Sequence, residues 1–277
     1  MTYLFIDGGH LRAGFKKCMS RYHDGDVDLS IQATTHALRK LSVNIANPQK
    51  IFYYDCVDEL QGGNESDEDL ARRVKAQEDR FNAIRDSPGW HVREGRLVGE
   101  RKPRQKRVDV LLAVEMLSHA FNKNMQEAIL IAGDDDFTPL VEELLRHGTF
   151  VQVWSDRRSG SPHLRHTADF GRSIGYRFYW HLTHHAFQEK HPLPDNSIIG
   201  KKDGGRLVEY GRCKGGEKVT ILESEGLFHF CILHEGYPVS RVRAREIRVL
   251  HAYLEDELAD LLPEKWEQSN PAAHAPE

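Results

Sequence analysis

Little in this chain would fix it by covalent means or place it in a membrane. Its four cysteines, Cys18, Cys56, Cys213 and Cys231, are spread over 277 residues. No two form a CxxC pair or a zinc-like spacing, which argues against a disulfide framework or a structural zinc and fits a reducing cytoplasm. No apolar run approaches the roughly 18 residues of a membrane span. The first apolar stretch, Tyr3–Ile6, is too short for a signal peptide. A soluble, cytoplasmic protein with no membrane role is the expectation. Excess positive charge is missing too: the formal net charge is -4. A generally basic nucleic-acid binder is therefore not indicated, although a local basic patch would suit a protein that turns over RNA or DNA. No internal repeat is visible.

What is present is ordinary for a soluble globular protein, with 39% hydrophobic and 29% charged residues. The length allows one substantial core and a second small module. Through the first two-thirds, strand and helix signals alternate. Tyr3–Ile6, Ile51–Tyr54, Trp90–Arg93, Arg96–Val98, Ala128–Ala132 and Phe150–Trp154 read as strands. Leu29–Val43, Glu68–Arg85 and Val108–Phe121 read as helices, the last apolar on most faces and so expected to be buried. A further helix starts near Pro139, with Thr138 as its expected N-cap, and ends at Gly148. Such alternation predicts an α/β fold with a parallel sheet flanked by helices.

After about residue 186 the pattern changes. The segment from His191 to Asn196 reads as a linker. Arg206–Tyr210, Lys218–Leu222, Phe228–Leu233 and Val239–Val249 then read as strands of a small all-β module, followed by a short helix over Ala252–Leu262. The expected organisation is a domain over 1–185, a β module over 198–252 and a disordered tail over 263–277.

The segment Gly133-Asp134-Asp135-Asp136-Phe137-Thr138-Pro139 follows an apolar strand directly. Two unit charges about 4 Å apart repel by about 4 kcal/mol at an effective dielectric of 20. Three carboxylates here are costly unless a cation joins them, and Mg²⁺ or Mn²⁺, which prefer oxygen ligands, are the obvious candidates. The plain alternative is a polar turn in which one Asp caps a helix and the others face water. Ligands of parallel sheets bind at the C-terminal strand ends. Asp7 ends the first strand, so it faces the same edge as Asp134 and Asp136. Asp109 stands in the first turn of the Val108–Phe121 helix, where the helix dipole alone would favour it. Together Asp7, Asp109, Asp134 and Asp136 describe a pocket for one or two divalent ions, able to activate water and stabilise the charge of phosphodiester cleavage.

These residues resemble a known family. Phe5-Ile6-Asp7-Gly8-Gly9-His10-Leu11, Lys106-Arg107-Val108-Asp109-Val110 with Glu115 beyond it, and Gly133-Asp134-Asp135-Asp136-Phe137-Thr138-Pro139-Leu140-Val141 look like the NYN domain. NYN domains, including the LabA-like or DUF88 group, belong to the PIN-like nuclease superfamily. The resemblance covers roughly residues 1–175 and implies metal-dependent RNA cleavage, with metal-binding positions at Asp7, Asp109, Asp134 and Asp136. Asp135 occupies the variable position between two family aspartates. Glu115 matches a further acidic position but lies about 240° from Asp109 around the helical wheel and so faces elsewhere. His10 stands where many members carry Asn, whose hydrogen bond a His can reproduce.

Arg101, Lys102, Arg104, Lys106 and Arg107 lead straight into Asp109, and such a basic loop would grip a phosphate backbone. The bland reading is a solvated loop. Arg241, Arg243, Arg245 and Arg248 form a second basic stripe that suits RNA or a charged partner. His181, His184, His185 and His191 suggest a transition-metal site only weakly, since nothing nearby completes a set. Asp55 ends a strand and could border the pocket. Trp90, Trp154, Phe150 and Phe178 read as core.

The leading expectation is a Mg²⁺- or Mn²⁺-dependent endoribonuclease acting on single-stranded or structured RNA, with a protein partner or oligomer formed through the β module. A haloacid-dehalogenase-like phosphatase is weaker, because Gly9 stands where that family wants a second Asp. The alternative from another class is a non-catalytic RNA-binding or regulatory scaffold.

Overall fold

The computed structural model describes residues 1–24, 27–30, 34–38, 48–57, 65–98, 104–106, 108–197, 200–202 and 204–269. Two compact units emerge: Met1–Cys18 with Asp28–Gly175, and Met19–Val27 with Tyr176–Glu277. Among the described residues, no helix is long and apolar enough to cross a membrane.

The first unit is built on β1 (Thr2–Asp7), β2 (Lys50–Asp55), β3 (Trp90–Glu94), β6 (Glu127–Ile131), β7 (Phe150–Asp156) and β8 (Phe170–Ile174). They form one sheet in the order β3-β2-β1-β6-β7-β8, and every pairing is parallel. The two central strands carry uninterrupted apolar runs. Tyr3–Ile6 and Ala128–Ile131 are buried throughout, as a parallel strand covered on both faces requires. The short strands β4 (Arg96–Val98) and β5 (Arg104–Lys106) pair with each other apart from this sheet.

Its helices are α1 (Gly8–Tyr22), which belongs to this unit as far as Cys18, α2 (Asp67–Arg85), α3 (Val108–Phe121), α4 (Thr138–Arg146) and α5 (Pro162–Thr167). α2 opens as its sequence demands: Ser66 Oγ accepts from Asp69 N at 3.1 Å, and Asp67, Glu68 and Asp69 fill the first turn, where carboxylates meet the positive end of the dipole. Of the helix expected over 29–43, the described part is helical only over 34–38. Two further expectations need correction. α3 buries one stripe, Val108, Leu112, Met116 and Ala120, while Val110, Val114 and Phe121 are exposed. Phe150 likewise is exposed at the start of β7, whereas Trp90, Trp154 and Phe178 are buried.

The second unit is an antiparallel sheet of β9 (Gly200–Lys201), β10 (Arg206–Arg212), β11 (Lys218–Ser224), β12 (Leu227–His234), β13 (Tyr237–Ala244) and β14 (Glu267–Gln268), with α6 (Tyr176–Trp180), α7 (His185–Lys190) and α8 (Ile247–Glu257). The order is β14-β10-β11-β12-β13-β9. Two hairpins turn on Glu225-Gly226 and Glu235-Gly236, all four at positive φ. That is the two-residue turn whose twist matches the flanking strands. Val219, Ile221, Phe230, Val242, Leu250 and Leu254 make its core.

Three sequence expectations differ here. The strand expected as far as Val249 ends at Ala244, and the helix starts at Ile247 rather than Ala252. The interior chosen for α8 explains this, since Val249, Leu250, Ala252, Tyr253 and Leu254 are buried at helical spacing. The expected linker is tied down at Asp195, which exchanges backbone hydrogen bonds with Arg243. The expected disordered tail differs as far as residue 269: Pro263 bridges Cys213, and Glu267–Gln268 pair with β10. Residues 270–277 lie outside the described residues.

Candidate active site

The sheet order places the functional edge. From β1 the chain adds β2 and β3 on one side, then β6, β7 and β8 on the other, so the order reverses between β1 and β6. Open α/β sheets bind ligands outside the C-terminal strand ends at such a reversal. Ile6 pairs with Ile131, which brings Asp7 and the Gly133-Asp134 turn to the same level. α3 packs over this part of the core through Val108 and Leu112, and Asp109 sits beside Val108 in its first turn.

Asp109 feels the charges of Asp7, Asp134 and Asp136. Asp109, Asp134 and Asp136 are exposed to solvent, yet partial desolvation, with those charges, pushes the Asp109 carboxyl up. Burial also raises Asp7, opposed by the backbone N–H of His10, which donates to Asp7 Oδ1 at 3.0 Å. Among the described residues, none of the four aspartates has an ion pair to a base. Arg12, the nearest candidate for Asp7, is taken by Asp55 at 2.8 Å. A cleft of about 670 Å³ opens alongside, lined by Asp109, Asp134 and Asp136 together with Leu117, Leu140 and Arg146. Arg146 is paired with Glu143.

The three consecutive aspartates have separate jobs. Asp134 Oδ1 accepts from Asp136 N at 3.0 Å and so caps the short 3₁₀ turn Asp135–Phe137. That turn runs directly into α4, leaving Thr138 helical at φ -55°, ψ -46°. The expected cap at Thr138 is thus corrected: Asp134 takes that role one turn earlier. Asp135 turns aside. Its Oδ1 accepts from Ser161 Oγ at 2.5 Å and lies 3.3 Å from His163 Nδ1, which fastens the loop to the start of α5 and lowers its carboxyl.

His10 supports the loop from below. Its Nε2 accepts from Asp156 N at 3.2 Å, so Nδ1 carries the proton of the neutral ring, and burial holds its pKa down. A Cβ built on Gly133 would stand 2.1 Å from His10 Cε1, so the glycine before Asp134 is required by this ring.

Glu115 faces elsewhere, as its wheel position implies: Arg93 Nη2 donates to it at 2.7 Å and Tyr54 Oη at 2.7 Å. Asp55 is wholly buried and holds Arg12, Tyr53 Oη and Cys56 N, a structural set. Arg101, Lys102 and Arg107 lie outside the described residues. Arg104 and Lys106 belong to β5, with nothing described of their side chains. In the second unit Arg243 is engaged by Asp195 at 2.7 Å and Arg248 by Asp24 at 2.6 Å, and Arg248 belongs to α8 rather than to the strand.

The four histidines singled out by sequence do not converge. His185 meets Glu189 at 3.5 Å, whereas His191 meets Glu246 at 2.6 Å and stacks edge-on against His23. Among the described residues, His23, His191 and Glu246 are the one group whose ligand atoms all lie within 4.8 Å of one another. Sequence reasoning missed His23 and Glu246, because no local spacing connects three such distant segments. The four aspartates do not form such a group.

A parallel α/β domain with carboxylates gathered at its switch point defines a nuclease-like PIN-type fold. The family model for the NYN domain matches residues 38–174, and the NYN family belongs to the PIN-like superfamily. β1 and Asp7 precede the matched segment. No curated protein matches the chain. Among solved structures, one similar chain is a protein of unknown function from Vibrio parahaemolyticus. It is 16% identical, with a TM-score of 0.42 over 62% of this chain and 91% of that one.

Proposed function

We propose that this protein is a divalent-metal-dependent endoribonuclease, with Asp7, Asp109, Asp134 and Asp136 holding Mg²⁺ or Mn²⁺. The observation that supports this reading is geometric: Asp109, Asp134 and Asp136 line one cleft, and strand pairing brings Asp7 to the level of the Asp134 turn, with no base paired to any of the four among the described residues. A donor set made only of carboxylate oxygens suits a hard cation. NYN domains are generally nucleases, and PIN-like nucleases typically use divalent metals.

When bound, the metal supplies an activated water and charge stabilisation for an in-line phosphodiester displacement. The chain's own residues do the rest. Asp7 is oriented by the His10 and Gly9 amides, Asp134 by the Asp136 amide, and Asp109 by its place in the first turn of α3. The cleft beside them gives the strand a path past Asp109, Asp134 and Asp136. Arg101, Lys102, Arg104, Lys106 and Arg107 precede α3 in the chain and would neutralise substrate phosphates.

The test is cleavage of a mixed RNA pool with Mg²⁺ or Mn²⁺, comparing the wild type with Asp134→Asn/Asp136→Asn. Cleavage that vanishes with chelator and in the variant supports the reading. Salt-sensitive RNA binding without cleavage at high enzyme overturns it in favour of a non-catalytic scaffold.

A further inference from the structure

We infer that the second unit carries a separate binding site for one borderline-soft divalent transition metal, Zn²⁺ above all, formed by His23, His191 and Glu246. The three ligands come from three segments of that unit. His23 follows Tyr22, His191 caps the end of α7, and Glu246 precedes α8. One ring nitrogen of each histidine and a carboxylate oxygen of Glu246 lie within 4.8 Å of one another. Two imidazoles and a carboxylate form a donor set that zinc accepts, with a fourth position left for water. It differs in kind from the all-carboxylate pocket of the first unit, so the two sites would sort their metals by ligand softness.

The surroundings resemble a built site rather than a chance meeting of surface groups. His23 is 7% exposed. Its Nε2 lies 3.0 Å from the Tyr176 hydroxyl, an outer partner of the sort that fixes a ligating ring. Phe187 packs against both imidazoles, with ring centroids 4.8 and 4.7 Å away. Trp180 Nε1 donates to the His191 carbonyl at 2.6 Å, which pins the backbone that presents the second ligand. A bound ion would staple the short Met19–Val27 segment to the β-rich remainder of its own unit, where metal binding adds directly to folding free energy.

The experiment titrates Co²⁺ into the metal-free full-length protein in excess Mg²⁺, reading the visible bands of four-coordinate cobalt. Six-coordinate cobalt in an all-oxygen site absorbs far more weakly, so the aspartate pocket does not mimic the signal. One equivalent of four-coordinate Co²⁺, displaced by Zn²⁺ and lost in both Glu246→Gln and His191→Gln, supports the site. Circular dichroism of the two variants separates loss of a ligand from loss of the fold, and Asp109→Asn should leave the bands unchanged. Absence of four-coordinate bands in the wild type overturns the proposal, as does their persistence in both folded ligand variants.

Discussion

The imidazole of His10 occupies the space that a side chain at Gly133 would need, 2.1 Å from the position of its Cβ. Helix α1 thereby sets the path of the loop that carries Asp134, and Asp156 N locks the ring from the other side.

Gly133→Ala should consequently destabilise the protein by about 1–3 kcal/mol, the usual range for overpacking. His10→Ala should remove the clash, so the double variant should be less destabilised than the sum of the two single changes. Chemical denaturation of all four proteins closes this cycle. Strict additivity would show that the ring and the glycine do not communicate.

Glu115 makes a contrasting case, an acid in the same helix as Asp109 with a different task. It accepts from Arg93 and Tyr54 and is held below the usual carboxylate range by them, against the opposing effect of burial. Glu115→Gln should lower stability by about 1–3 kcal/mol, the scale of a charged hydrogen bond lost from a partly buried site. Any metal-dependent RNA cleavage should persist. Thermal melts and the cleavage assay, run on one preparation, test both halves.

The legible parts of the fold were those in which burial leaves a one-dimensional trace. β1 and β6 are covered on both faces, so Tyr3–Ile6 and Ala128–Ile131 had to be continuous apolar runs. The shared level of Asp7 and the Asp134 turn followed from strand ends and parallel order. Less legible were features set by tertiary contact. Val110 and Val114 are apolar yet exposed, so composition alone overstated how much of α3 is buried. The cap at Asp134 depends on a side-chain hydrogen bond to Asp136 N, and Pro139 pointed one turn too far along. The His23, His191 and Glu246 group left no spacing signal at all.

An acid-limb prediction concerns the second unit. The Ser197 hydroxyl and amide, with Arg243, hold Asp195 down to about 2. A carboxyl lowered in the folded state stabilises the fold at every pH above its unfolded value, 3.8, and loses that contribution as pH falls toward about 2. The pair is solvent-exposed, so the effect is small. Asp195→Asn should flatten the stability profile only within this window, and an NMR titration of the Asp195 carboxyl should place its midpoint below those of free aspartates.

The sharpest test of the site separates charge repulsion from metal binding. Asp109, though exposed, is raised by partial desolvation and by Asp7, Asp134 and Asp136, so the folded state favours its protonated form relative to the unfolded chain. The resulting destabilisation is present above the raised pKa and is relieved as pH falls through it. In chelator at neutral pH, Asp109→Asn removes one of four like charges and should raise the melting temperature slightly. With Mg²⁺ the order should reverse. An ion bound only by the folded state adds about 2.7 kcal/mol when its concentration is 100 times its dissociation constant, a gain that the wild type should show and the variant should largely forgo. Melting curves of both proteins in chelator and across a Mg²⁺ series decide the matter. If Asp109→Asn lowers stability in chelator, Asp109 serves the fold through its helix dipole. Equal Mg²⁺ stabilisation of the two proteins would remove Asp109 from the metal site.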